Sequence, residues 1–204
     1  MKKTIIVGLT GSFGTGKSTI ASMFKDCGAC VIDTDHIAHE LLEWDGDCYH
    51  SVVSVFGPGI LNGQTISRSK LATEVFDDSE KLKCLESIIH PAVERKMLEA
   101  IKGCGNDEKA QIIVVEVPLL FEAGYDRHMD VIVVASSSLA QQHSRIAEHR
   151  RMSKDEVNKR IQAQWSLTDK INRADYVIDN SKNLTNTKKE VMKVWTKLAE
   201  EQEL

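Results

Sequence analysis

Residues 11–18 are Gly11-Ser12-Phe13-Gly14-Thr15-Gly16-Lys17-Ser18, a segment that fits the pattern G-x-x-x-x-G-K-[ST] of phosphate-binding loops. An apolar, β-branched run at residues 4–9 precedes it, which is typical of a buried strand. A helical pattern follows it, with Ile20, Met23 and Phe24 on one side. In this setting the glycines let backbone N–H groups surround phosphate oxygens, and the helix N-terminus adds partial positive charge. The sequence therefore predicts a nucleoside triphosphate site.

The hydrophobic pattern extends this prediction to a fold. Strand-like segments occur at residues 4–9, 30–33, 112–117, 131–135 and 176–179. Because helical patterns separate them and the segments are almost wholly apolar, we expect an α/β fold with a five-stranded parallel sheet buried on both faces. The stretch from about 40 to 110 contains no convincing strand and is predicted as helices at 46–56, 67–76 and 79–102. Pro91 should kink or divide the last of these.

The same pattern divides the chain into a core, an insertion and a lid. Residues 1–40, 105–138 and 174–204 are predicted to form the nucleotide-binding core, 41–104 a helical acceptor-binding insertion, and 139–173 short helices. Within 143–173, eight Lys and Arg face four acidic residues, although the whole chain carries a net charge of −4. This surplus fits either a solvated helix face or a mobile lid that brings guanidinium groups onto triphosphate. We favour the lid. Ser153 and Glu156 predict a capping box there.

Composition limits the classes of function. The net charge of −4 argues against general nucleic-acid binding, and no apolar run approaches the roughly 20 residues of a membrane span. The five cysteines lack the spacing of a disulfide framework, so we expect reduced thiols and a cytoplasmic protein. Cys27 and Cys30 form a lone C-x-x-C that is interpreted as a helix-to-strand turn rather than a metal site.

Several residues suit phosphoryl transfer to a small molecule. The guanine-specificity motif N-K-x-D and a transporter signature are absent from the sequence. Asp33 and Asp35 lie at the end of the second predicted strand, where ligands bind in open α/β sheets, although either could instead cap a helix. Glu116, at the end of the third predicted strand, can serve with the Ser18 hydroxyl near Mg²⁺. These residues predict a kinase with a carboxylate base.

Six sequence blocks, spread over nearly the whole chain, form a distinctive set. They are Gly8 through Ser18, Val31-Ile32-Asp33-Thr34-Asp35-His36-Ile37-Ala38, Ile89-His90-Pro91, Glu116-Val117-Pro118-Leu119-Leu120-Phe121-Glu122, Arg160-Ile161-Gln162-Ala163-Gln164 and Ala174-Asp175-Tyr176-Val177-Ile178-Asp179-Asn180. Together these blocks resemble the dephospho-coenzyme A kinase family. The resemblance implies a nucleotide-kinase-like three-layer fold and transfer of the ATP γ-phosphate to the ribose 3′-hydroxyl of dephospho-CoA.

The resemblance also implies roles for individual residues. Lys17 and Ser18 would act at phosphate and metal, Asp35 as the base, and Arg145 as the lid arginine. The predicted ATP-binding set is Gly11, Ser12, Phe13, Gly14, Thr15, Gly16, Lys17, Ser18, Thr19, Arg145 and Asn180. The predicted acceptor-binding set is Asp33, Asp35, Arg68, His90, Pro91, Glu116, Pro118 and Leu119. A second lid cation stays open between His149, Arg150 and Arg151.

Two other functions share some of these features. A nucleoside or nucleotide monophosphate kinase would use the same core, and a regulatory switch would bind ATP together with a protein partner. From the family resemblance, the expected partners are ATP and dephospho-CoA, with Mg²⁺ as cofactor. No nucleic acid, membrane or obligate protein partner is expected.

Overall fold

The computed structural model describes residues 4–76, 78–105, 111–150 and 152–201. Its main sheet consists of β1 (Ile5–Gly11), β2 (Cys30–Asp33), β5 (Ile112–Glu116), β6 (Val131–Ser136) and β7 (Tyr176–Asp179). These strands are all parallel and stand in the order β2-β5-β1-β6-β7. The five predicted strands are thus confirmed; two have the predicted bounds and three differ from them by one or two residues. β1 is the central strand, and the strand order runs in opposite directions on its two sides. The loop that follows β1 therefore lies where ligands usually bind in such folds.

The helices are α1 (Lys17–Asp26), α2 (Thr34–Leu42), α3 (Tyr49–Phe56), α4 (Arg68–Phe76), α5 (Ser79–Gly105), α6 (Leu139–Arg150), α7 (Lys154–Gln162), α8 (Leu167–Asn172) and α9 (Leu184–Glu201). Short 3₁₀ turns occur at Pro58–Ile60 and Tyr125–His128. Within the described part of the chain, no helix combines the length and the apolar character that crossing a membrane requires.

One face of the sheet is covered by α1 and α9. The strand side chains of Val7, Leu9, Val133 and others pack against Phe24 from α1 and Leu198 from α9, all with no exposed surface. Burial of each such side chain stabilises the fold by roughly 1.5–3 kcal/mol. The side of α9 that contacts this core is formed by Val191, Val194, Trp195 and Leu198.

The chain forms two compact units. One comprises Met1–Asp33 and Ile101–Leu204 and contains the main sheet; the other is the helical unit Thr34–Ala100. The helical unit contains α2 to α4, most of α5, and a small antiparallel hairpin of β3 (Leu61–Asn62) and β4 (Thr65–Ile66).

The helical unit departs from the prediction in two places. The hairpin lies in a stretch where no strand was expected, because strands of two residues are too short to show alternation. Its sequence signal was the two-residue loop Gly63-Gln64, in which Gly63 adopts φ 61°. Of the two outcomes predicted for Pro91, division of the helix is wrong, because α5 is continuous from Ser79 to Gly105; a kink stays a prediction. Burial of Val93 and Met97 on the same helix, at 5% and 0% exposure, helps offset the hydrogen bond that a proline removes.

The prediction of five reduced thiols is also wrong. Cys30 at the start of β2 and Cys104 near the end of α5 form a disulfide, with their Cα atoms 6.3 Å apart. Cys27, Cys48 and Cys84 are free. The two bonded cysteines are 74 residues apart in sequence, so no local spacing marked them as partners. Cys30 therefore takes part in a disulfide outside the C-x-x-C pair.

Candidate functional site

The phosphate loop joins β1 to α1 in a conformation that needs its glycines. Gly14 and Gly16 adopt φ values of 80° and 87°, a region that residues with a Cβ rarely occupy. A Cβ at Gly16 would collide with the side-chain amide of Asn180. Gly16 provides no side-chain cap for α1, so the first N–H groups of that helix point from its N-terminus toward the loop. This arrangement suits an anion such as phosphate.

Lys17 and Ser12 supply polar groups inside the loop. The Lys17 side chain is 9% exposed, and its Nζ donates to the carbonyl oxygens of Gly11 and Ser12, both at 3.2 Å. Ser12 is 2% exposed, and its hydroxyl has no hydrogen-bond partner within the described residues. An ammonium group and a buried hydroxyl thus lie in the same loop as the glycines.

Two strand ends and the first turn of α1 bring further polar groups to this edge of the sheet. The Ser18 hydroxyl donates to Glu116 Oε1 at 2.8 Å, across 98 residues of sequence. Glu116 ends β5 and pairs in register with Leu9 of β1 on one side and with Asp33 of β2 on the other. Two predicted carboxylates, Asp33 and Glu116, therefore stand side by side on neighbouring strands, Asp33 exposed and Glu116 buried.

Arg145 and Asn180 hold the other side of the loop. From α6, the Arg145 guanidinium donates to the carbonyl of Thr15 at 3.2 Å and to that of Asn180 at 2.6 Å. Asn180 follows β7, is 2% exposed, and donates from Nδ2 to the same Thr15 carbonyl at 2.8 Å. Its Oδ1 accepts from Thr187 at 2.8 Å. The structure thus brings Arg145, Asn180 and the phosphate loop together, as the sequence predicted.

Other basic residues of 143–173 also contact protein rather than only solvent. The Arg160 guanidinium lies over the Phe13 ring of the phosphate loop, 5.4 Å from its centroid. Arg173 lies 4.7 Å from the ring centroid of Trp165. These two guanidinium groups pack on aromatic rings, and the lid itself stays a prediction. The predicted capping box of Ser153 and Glu156 is present. The side chains of His149 and Arg150, and Arg151 as a whole, lie outside the described residues.

The loop after β5 is held by residues that were not predicted from the sequence as site residues. Pro118, a predicted acceptor-binding residue, has a carbonyl that accepts from Lys170 Nζ at 2.8 Å and from Thr10 Oγ1 at 3.3 Å. Lys170 also pairs with Glu122 Oε1 at 2.9 Å. The sequence did carry a signal: Lys170 shares a helix face with Leu167 and Ile171, where a charged residue is unusual. Leu119, next to Pro118, is half-buried.

The remaining predicted site residues belong to the helical unit. Asp35 lies in the first turn of α2 and is exposed, Arg68 begins α4 and is exposed, and His90 and Pro91 lie in α5. Pro91 also lines a groove of about 680 Å³ within this unit, together with Cys48, Ile88, Ala92, Arg95 and others. These four residues are therefore distributed over three helices.

The donor set at the strand ends fits magnesium. No three His, Cys, Asp or Glu side chains cluster as a metal site anywhere in the described ranges. Mg²⁺ does not need such a cage, because it is usually bound by one or two protein oxygens, waters and substrate phosphates. The Ser18 hydroxyl and the Glu116 carboxylate, 2.8 Å apart, are oxygen donors of this kind.

Comparisons with known proteins agree with this geometry. A family model described as dephospho-CoA kinase matches residues 5–186. A dephospho-CoA kinase from Geobacillus kaustophilus is 38% identical over 203 residues, which cover 96% of this chain and 98% of that protein. A crystal structure from Thermus thermophilus matches at TM-score 0.83 and 29% identity, over 96% of this chain and 98% of that one.

The structure of a dephospho-CoA kinase from Campylobacter jejuni matches at TM-score 0.70 and 28% identity, over 96% of this chain and 97% of that one. The predicted kinase-type α/β fold is thereby confirmed, and the match of fold and sequence extends over almost the full length of both chains. The chain belongs to the dephospho-CoA kinase family.

Proposed function

We propose that this protein transfers the γ-phosphate of ATP to the ribose 3′-hydroxyl of dephospho-CoA, giving coenzyme A and ADP. The observation that carries the proposal is the phosphate loop itself, in a chain that matches the dephospho-CoA kinase family over residues 5–186. That loop gathers Lys17, Ser18 and Arg145 within one unit of the fold. Its chemistry is positioning and neutralisation of charge, which is most of what phosphoryl transfer requires.

In this proposal Lys17 and Arg145 neutralise the triphosphate. Lys17 Nζ now bonds two carbonyl oxygens of the loop, and phosphate oxygens are stronger acceptors at the same place. The Arg145 guanidinium, fixed on Thr15 and Asn180, presents its remaining N–H groups from the α6 side. The Ser12 hydroxyl, which has no hydrogen-bond partner among the described residues, adds a donor. Charge that spreads over the transferred group is thus met by groups already in place.

Ser18 and Glu116 are proposed to hold Mg²⁺. When bound, the ion would neutralise charge on the phosphate oxygens and orient them. The protein's contribution is the contact of the Ser18 hydroxyl with the Glu116 carboxylate, which fixes both oxygens at the ends of α1 and β5.

Asp35 is proposed to accept the proton of the 3′-hydroxyl. A carboxylate exposed at the start of α2 can reach a bound substrate without the cost of burying its charge. Asp33, Glu116, Pro118 and Leu119 would contact the acceptor from the strand ends. Arg68, His90 and Pro91 would contact it from the helical unit, which corresponds to most of the predicted insertion 41–104. Residues 139–173 would form the lid, and a cytoplasmic location remains part of the proposal.

The decisive experiment supplies a choice of acceptors. Purified protein is incubated with Mg·ATP and an equimolar mixture of dephospho-CoA, adenosine and nucleoside monophosphates, and the products are identified by mass spectrometry. We expect one phosphoryl group on dephospho-CoA, at the 3′ position, and none on the other acceptors. Phosphorylation of a nucleoside or nucleotide instead, or slow ATP hydrolysis with no phosphorylated acceptor, contradicts the proposal.

A further inference from the structure

Lys170 is a completely buried ammonium group. Its side chain has no exposed surface, whereas lysines are almost never fully buried unless they are paired. Its Nζ donates to Glu122 Oε1 at 2.9 Å and to the Pro118 carbonyl at 2.8 Å. Burial lowers the pKa of Lys170, and the hydrogen bond and charge of Glu122 oppose that shift. The fold thus retains a costly charge at one point of its interior.

The first group that Lys170 holds is the backbone immediately after the β5 strand. Val117 extends the ladder by donating to the Leu9 carbonyl at 2.9 Å, but Pro118 has no N–H with which to continue. Its carbonyl instead receives Lys170 and the hydroxyl of Thr10. This carbonyl lies two residues after Glu116, whose carboxylate accepts from Ser18. Lys170 therefore fixes the backbone that carries Glu116 beside the phosphate loop.

The second group is the carboxylate of Glu122, which also binds the end of the lid segment. Glu122 Oε1 accepts from the Trp165 backbone N–H at 2.8 Å, one residue before Ser166 caps α8. The Trp165 ring stacks on Phe121, with centroids 5.7 Å apart and planes at 12°. Glu122 Oε2 has no hydrogen-bond partner within the described residues. One buried pair thus joins the loop after β5 to the point where the chain returns from the lid.

We propose that Lys170 is a positioning residue for phosphoryl transfer, which rests on the proposed function. Through the Pro118 carbonyl it sets the position of Glu116 and Ser18, and through Glu122 it ties that loop to the base of the lid. Stability alone does not explain the arrangement, because replacing a buried ion pair by apolar groups is often neutral or stabilising. A displacement of about 1 Å at a reacting group, in contrast, can slow a reaction about 100-fold.

Two variants distinguish an effect of Lys170 on the position of the catalytic groups from an effect on the stability of the fold. Lys170→Met keeps the length of the side chain but leaves the Glu122 charge buried and unpaired, so it should lower both the melting temperature and turnover. Lys170→Met combined with Glu122→Gln removes the unpaired charge, while the amide oxygen introduced at 122 still accepts from Trp165. We expect the double variant to recover most of the melting temperature but to keep a kcat about 10- to 100-fold below wild type, with KM for ATP within about 3-fold.

Recovery of kcat together with the melting temperature in the double variant overturns the proposal, because Lys170 then serves stability alone. The double variant also decides the case if Lys170→Met does not fold. If wild-type protein fails to phosphorylate dephospho-CoA, the proposed function fails, and the same comparison is made on Mg-dependent ATP hydrolysis. In that case, equal hydrolysis rates in wild type and the double variant would overturn the positioning role of Lys170, independently of the failure of the proposed function.

Discussion

The phosphate loop and the helical unit Thr34–Ala100 fix their polar residues in different ways. At the loop, the carbonyl of Thr15 accepts hydrogen bonds from the half-buried side chain of Arg145 and the buried side chain of Asn180, at sequence separations of 130 and 165. In the helical unit, the ion pairs among the described residues are exposed and mostly local; Lys83 and Glu80, for example, are three residues apart and both largely exposed.

This difference indicates which half of the reaction the fold prepares in advance. A network of buried hydrogen bonds keeps one geometry whether or not a ligand is present, whereas exposed pairs exchange readily with water. We therefore expect the donor side to be preorganised and the acceptor side to adjust to its substrate. Substitutions in the two regions should differ accordingly in whether they change kcat or KM.

The largest effect is expected from Lys17→Ala. It removes the ammonium at the phosphates and two hydrogen bonds within the loop, so transfer should fall at least about 1,000-fold while the fold is retained. Lys25→Ala is the matched control, because Lys25 is an exposed lysine on the same helix. Turnover is measured by coupled ADP release and folding by circular dichroism. Near-normal turnover of Lys17→Ala would mean that residues 11–18 are not the catalytic phosphate site.

Asp35→Asn tests the acceptor side. Asparagine keeps the size of the side chain but cannot take a proton, so kcat should fall by roughly 10²–10⁴ with ATP affinity changed only a few-fold. Glu40→Gln, an exposed carboxylate on the same helix, should leave kcat within 2-fold, roughly the effect of an uninvolved surface charge. If Asp35→Asn lowers kcat by less than about 10-fold while Asp33→Asn lowers it more, Asp33 is the base.

Arg145→Ala should have a smaller but clear effect on the donor side. A charge-assisted contact shielded from water contributes about 1.5–3 kcal/mol, which corresponds to a fall in kcat of at least about 10-fold. Lys154→Ala changes the charge of the same segment at an exposed position and should have little effect. Rates are compared at saturating ATP. Equal, small losses in both variants would show that Arg145 contributes nothing specific to transfer.

The smallest effect is expected from Glu156→Gln in the capping box. Backbone and side-chain hydrogen bonds from Ser153 lower the pKa of Glu156 below its usual 4.5. The ionised carboxylate therefore contributes stability at neutral pH, and this contribution is lost as the pH falls from about 4.5 through the lowered pKa. Melting temperatures of wild type and Glu156→Gln should thus differ slightly at pH 7 and converge in acid. A difference that persists unchanged at pH 3 would contradict this account; Asp155→Asn is the control.

The features that could be predicted from the sequence are those that a short local pattern specifies. Residues 11–18 specified the loop because glycine spacing and the flanking strand and helix are all visible within 25 residues. The capping box and the five strands were likewise local. For Arg145 and Asn180 the prediction came from family resemblance, and the structure adds the common carbonyl of Thr15 that they bind.

What the sequence left out depends on contacts between distant residues. In the sequence, Lys170 stood only as one of the eight Lys and Arg residues of 143–173. Its partners Pro118 and Glu122 could not be inferred, because they lie about 50 residues earlier in the chain. Arg160 was seen within a family block, but its contact with the Phe13 ring required the fold of the lid segment. A charged residue on the apolar side of a short helix is the one signal that could have identified such a position beforehand.

The disulfide of Cys30 with Cys104 has a consequence for how the chain responds to cleavage. The whole helical unit, residues 34–100, lies between the two bonded cysteines in sequence. A protease that cuts once within this unit therefore leaves two fragments that remain one molecule, and they separate on an electrophoresis gel only after reduction. The polypeptide is thus a closed loop with two tails, and the helical unit can be nicked without releasing either tail.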